Sequence, residues 1–124
     1  MKLRLLGVLQ WFGLLGAATA WWLQHVVGWG ATEAGCAVAG LRWGTDIDVW
    51  QIGLMVGACL VIAAAEVAAV VVFRATSGVE ENAPPPLGRI HFFSTAAIVA
   101  NILFFMIVVL DGFASIFDVA CRQS

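Results

Sequence analysis

Charge is what this chain has least of. Lys, Arg, Asp and Glu make up 11% of its 124 residues, whereas 62% are hydrophobic. A soluble domain carries about a quarter charged residues, so lipid rather than water is the natural solvent here. The net charge of −2 and the lack of a basic cluster exclude nucleic acid as a partner and argue against steering of a charged ligand. Histidine and cysteine are also scarce, at two and three residues. They form neither a CxxC nor a CxxCH pattern and no dense cluster with carboxylates. The sequence therefore offers no metal site, no covalent haem site and no catalytic constellation, and the chain reads as non-enzymatic and without a cofactor.

Three long runs almost free of charge are present instead: Leu5 to Val27, Val49 to Phe73 and Ile90 to Leu110. About 20 apolar residues span a hydrocarbon core of roughly 30 Å. Each run must be helical, because lipid offers no partner for backbone amides and three segments cannot close a barrel. The expected fold is all-α, a single integral membrane domain over 1–124 with an outer loop and an outer C-terminal tail. Lys2, Arg4, Arg74 and Arg89 gather at one side of this arrangement, and only Arg42 and Arg122 at the other. Retention of Lys and Arg in the cytoplasm places the N-terminus inside and the C-terminus outside the cell membrane. Glu33, Asp46, Asp48, Asp111 and Asp118 fall on or near the outer side. So do Trp21, Trp22, Trp29, Trp43 and Trp50, as an interfacial aromatic belt would.

Lys2, Arg4, the following apolar run and Ala18-Thr19-Ala20 imitate a secretory signal with its cleavage site. The run continues to Val27, longer than a signal core, so an intact first helix is preferred. Between the first two spans, Gly28, Gly30, Gly35, Gly40 and Gly44 predict an outer loop, with at most a short interfacial helix over Thr32 to Ala39. Ser77-Gly78, Glu80, Glu81 and Pro84-Pro85-Pro86 predict an inner loop over 75–88. Small residues mark candidate helix contacts: Gly16 and Ala20 on the first span, and Gly53 and Gly57 in GxxxG spacing on the second. The spacing does not distinguish a partner helix of this chain from one of another protein.

The topology brings Cys36 and Cys121 to the outer side, which is oxidising in a bacterial envelope. A bond between them would close a loop of about 85 residues; the alternative is two unrelated free thiols. Cys59 reads as a small buried side chain. His25 and His91 fall near opposite ends of their spans, on the order of 25 Å apart, too far to share one haem or metal. Glu66 lies inside the second span, about 12 Å from Arg74. A carboxylate there usually faces a protein interior or a wet cavity. Gln10, Ser94 and Thr95 lie at comparable depth, and a polar cluster with one of them is expected. A proton path and a contact to another subunit are the alternatives. Asn101 is deeper and suited to an interhelical hydrogen bond.

Ala20-Trp21-Trp22-Leu23-Gln24 running on to Cys36, Gly88-Arg89-Ile90-His91-Phe92 opening the last span, and the tail Asp118-Val119-Ala120-Cys121-Arg122-Gln123-Ser124 carry a resemblance. Together they resemble a poorly characterised family of small multipass bacterial membrane proteins often encoded beside haem-copper cytochrome c oxidase genes. Ala120 departs from that pattern, where Pro commonly precedes the final Cys. The resemblance implies a non-catalytic accessory subunit or an assembly factor of a cytochrome c oxidase or respiratory supercomplex. Its partners would be membrane lipids and larger membrane subunits. A small oligomeric transporter or channel using Glu66 and Asn101 is the rival reading.

Overall fold

The computed structural model describes residues 2–36, 46–80 and 82–117. They form three helices, α1 (Leu3–Cys36), α2 (Ile47–Ala75) and α3 (Leu87–Phe117). Each is long and apolar enough to cross a membrane. At 1.5 Å per residue their lengths are about 51, 44 and 46 Å, beyond the roughly 30 Å of a hydrocarbon core. The fold is all-α. Lys2, Arg4, Arg74 and Arg89 lie at one end of the bundle, and Cys36, Asp46 and Asp48 at the other.

Helix α1 corrects one expectation from the sequence. Gly28, Gly30 and Gly35 do not open a loop; α1 continues through them to Cys36. The reason is packing against α2. A Cβ on Gly28 would stand 2.8 Å from Gln51 Oε1, and one on Gly35 would stand 2.6 Å from Ile47 Cδ1. These glycines are vacant places that let the start of α2 lie against α1, and that contact outweighs the modest helix propensity lost at each glycine. Asp46 caps α2, its side chain accepting from the Asp48 amide at 3.1 Å. At the opposite end Thr76 closes α2, its amide donating to the Val72 carbonyl at 3.0 Å.

The interior is narrow and made mostly of small residues. On α1 the buried positions are Leu6, Gln10, Gly13, Ala17, Ala20 and Gln24, alternating steps of four and three that define a heptad seam. A Cβ on Gly13 would stand 3.1 Å from the backbone nitrogen of Ala69, and one on Gly16 would stand 3.1 Å from the Ala65 methyl. Large side chains turn outward: Leu60, Leu110, Ile102 and Met106 are all more than half exposed. This inversion is what lipid permits, since acyl chains solvate Leu as well as a neighbouring helix would. Two apolar layers flank the centre. Leu6, Val72 and Ile90 pack towards the basic end, and Ala17, Ala20, Ala58, Ile62 and Val108 towards the Cys36 end.

Close backbone approach at Gly13 carries a measurable consequence. Gly13→Leu is expected to lower the unfolding free energy in detergent by about 1–3 kcal/mol, through overpacking. Gly57→Leu, where a side chain meets nothing within 4 Å, should change it by less than about 0.5 kcal/mol. Titration with a denaturing detergent, followed by circular dichroism, measures both. Equal losses at the two positions would contradict this packing.

Candidate functional site

Polar side chains mark successive depths along the bundle, and most have a structural task. At the basic end, His91 Nδ1 and Thr76 Oγ1 are 2.9 Å apart, and Thr76 Oγ1 donates to the Val72 carbonyl at 2.9 Å. The Thr76 hydroxyl thus lies within hydrogen-bond reach of both the Val72 carbonyl and the His91 ring. The Phe73 ring stacks on His91 at 5.1 Å. These contacts pin the start of α3 to the end of α2.

At the Cys36 end, Gln51 reaches from α2 to α1 and donates to the Gly28 carbonyl at 3.0 Å and to Thr32 Oγ1 at 3.1 Å. Thr32 in turn donates back to Gly28 at 3.0 Å. Gln24 Nε2 ties α1 to α3 through the Val108 carbonyl at 3.3 Å, while Gln24 Oε1 accepts nothing. His25, exposed, and Asp111, half-buried, approach to 3.3 Å, an arrangement that adds little to stability. Trp21 stacks on His25 at 6.0 Å and tilts against Phe104 at 5.9 Å. The two histidines thus sit at opposite ends of the bundle, each engaged with a neighbouring helix.

The central level is different. Asn101, on the middle turns of α3, is 1% exposed, and neither its amide nitrogen nor its oxygen has a hydrogen-bond partner. Glu66 Oε2 on α2 is likewise buried and without a partner. Both residues line one groove of about 170 Å³ between α2 and α3, with Ile62, Ala63, Ile102, Phe105 and Met106. Ile102, Phe105 and Met106 are exposed large apolar residues, so the groove opens on the face that meets lipid. An unpaired amide in a medium without water costs several kcal/mol relative to a paired one. The groove is therefore the one place at mid-depth where described polar atoms lack partners.

This placement redraws the expected polar cluster. Glu66 shares its groove with Asn101, not with Gln10, Ser94 or Thr95. Gln10 is buried between Leu6 and Gly13, nearer the basic end. Ser94 and Thr95 both donate to the His91 carbonyl of their own helix, at 2.7 and 3.1 Å. Gly16 and Ala20 are contacts within the bundle, whereas Gly53 and Gly57 are exposed with open space beside them. Cys59 carries a free thiol and packs against the core. Cys36 is the last residue of α1; Cys121, Arg42, Trp43, Asp118 and Arg122 lie outside the described residues. Among the described residues, no group of three or more His, Cys, Asp and Glu is placed to hold a metal ion.

Gln24, Gln51 and Thr32 serve as interhelical anchors, a role the sequence did not suggest for them. The available signal was an amide inside an apolar run, and Thr32 four residues after Gly28.

The two amides at different depths predict opposite responses in the isolated chain. Gln51→Ala should destabilise it by about 1 kcal/mol, through loss of two interhelical bonds. Asn101→Leu should leave stability unchanged or raise it, because it replaces an unpaired buried amide by a side chain of similar shape. Unfolding of both variants in the same detergent checks the pair, and a marked loss at Asn101→Leu would show that its amide is already bonded. Comparison of the chain with protein-family profiles, with curated proteins and with solved structures finds no match.

Proposed function

We propose that the protein is a non-catalytic membrane subunit that packs beside a larger membrane complex, and that this complex is a bacterial cytochrome c oxidase or its respiratory supercomplex. The observation that carries the first part is the buried, unpaired polar atoms of Asn101 and Glu66 just behind the apolar surface of a lipid-facing groove. The three helices already hold one another through Gly13, Gly16, Gln24 and Gln51. A self-sufficient bundle has no need of two further polar groups at its centre; a subunit with a neighbour does. The walls of the groove apart from these two residues are apolar, which suits a packed contact better than a wet conduction path. The identity of the complex rests on the resemblance borne by Ala20 to Gln24, Gly88 to Phe92 and the C-terminal tail.

In this reading the basic end faces the cytoplasm, since Lys2, Arg4, Arg74 and Arg89 lie there. The Cys36 end then faces the oxidising side of the membrane, where Cys36 and Cys121 form a disulfide that clamps the end of α1 to the C-terminal tail. Mild detergent extraction and affinity capture of the tagged full chain should return identified oxidase subunits in fixed ratio. Recovery of the protein alone, or with no respiratory subunit, refutes the assignment. Peptide mapping without reductant should recover Cys36 and Cys121 as one linked species. Reduction should lower stability by about 4.6 kcal/mol, the chain-entropy value for a loop of this length; both residues recovered as free thiols removes the clamp.

A further inference from the structure

Three helix ends meet at the basic end of the bundle, and they are not equivalent. Leu6, Val72 and Ile90 pack in one layer. At 1.5 Å per residue, Arg4 and Arg74 lie about 3 Å along their helices beyond that layer and Arg89 about 1.5 Å, so each helix brings one arginine to a common depth. All three are exposed, as is Lys2. Among the described residues none of these four has a carboxylate partner, since the His25–Asp111 pair lies at the far end and the exposed Glu80 makes no bond to them. Arg74 is nonetheless in a favourable place. It occupies the last turn of α2, where the macrodipole is negative. Arg4 and Arg89 stand in the first turns of α1 and α3, which contain no acidic residue and where the macrodipole is positive. Helices α1 and α3 run parallel, so both positive ends and both guanidiniums face one membrane surface.

Beneath these two arginines the helices meet through aromatic rings. Trp11 of α1 and Phe93 of α3 have ring centroids 6.1 Å apart, tilted by 38°. Arg4 precedes Trp11 by seven residues and Arg89 precedes Phe93 by four, spacings that put each arginine on the same helix face as the ring below it. Trp11 is 52% exposed and the neighbouring Phe92 64%. The α1–α3 seam therefore carries two unpaired cations at headgroup depth above aromatic rings open to acyl chains.

We infer that this seam binds one anionic phospholipid, its phosphate bridging Arg4 and Arg89 and an acyl chain lying over Trp11 and Phe93. Packed helix axes are about 8–10 Å apart, within reach of two long side chains that share one phosphate, and the guanidinium fork matches phosphate oxygens. A zwitterionic lipid brings an ammonium that the same cations repel. Soluble phosphate has no chain to lie on the rings. The charge that opposes the two helix ends is thus the charge that holds the lipid.

Native mass spectrometry of the full chain, released from nanodiscs containing equal phosphatidylglycerol and phosphatidylethanolamine, tests the site. One phosphatidylglycerol per chain should be retained in preference to phosphatidylethanolamine. Arg4→Gln and Arg89→Gln should each lower that retention about fivefold, the scale of one cation at an anionic surface, whereas Arg74→Gln, on the third helix, should lower it by less than about twofold. Inorganic phosphate in large excess should not displace the lipid. Tryptophan fluorescence in the same nanodiscs supplies a readout that needs no charge variant. Phosphatidylglycerol brominated in its acyl chains should quench the part of the emission that Trp11→Phe removes more strongly than brominated phosphatidylethanolamine does. No retained lipid, equal retention of the two lipids, an equal loss with Arg74→Gln, displacement by phosphate, or equal quenching of Trp11 by the two brominated lipids overturns the inference.

Discussion

The bundle depends on how closely the α1 and α2 backbones approach at Gly13 against Ala69 and Gly16 against Ala65. In lipid, burying Leu against Leu gains little over leaving it among acyl chains, so helix association must come from dense van der Waals contact and interhelical hydrogen bonds. Small residues supply the first at the centre of the membrane. Gln51 with Gly28 and Gln24 with Val108 supply the second towards the Cys36 end, and His91 with Thr76 at the basic end. The arrangement accounts for a thin interior of alanines and for an exterior of Leu, Ile, Val, Phe and Met.

The fold was legible because the number of apolar runs and the demands of backbone hydrogen bonding in lipid leave few choices. The spans near 49–73 and 90–110 fall within α2 and α3. The end of α1 was not legible, because a cluster of glycines signals a loop in water but can equally mark a helix surface cleared for a neighbour. Only the partner side chains, Gln51 and Ile47, distinguish the two cases. Helix faces were hidden for a related reason: with apolar residues on every side, composition does not show which face turns inward. Gly16 and Gly57 looked alike in the sequence, yet one is filled by Ala65 and the other faces open space.

The candidate site was legible by residue and not by grouping. Glu66 and Asn101 stand out in any apolar run, but depth counted along a helix says nothing of angle around it. Gln10, Ser94 and Glu66 share a depth range, yet it is Asn101 that lines the same groove as Glu66, because α2 and α3 run antiparallel side by side. The result is a bundle whose helices are joined at both ends while the Asn101 amide and one Glu66 oxygen at its centre are buried without a partner.

That contrast between joined ends and an unpaired centre is the core of the account, and side-chain amide NMR reads it directly. In the isolated, detergent-solubilised protein, the Gln51 NH₂ resonances should show the shifts and slow exchange of a hydrogen-bonded amide. Those of Asn101 should show an unbonded one, moving towards the bonded range only when the larger complex is present. An Asn101 amide that is already as hydrogen-bonded as Gln51 in the isolated chain would contradict it.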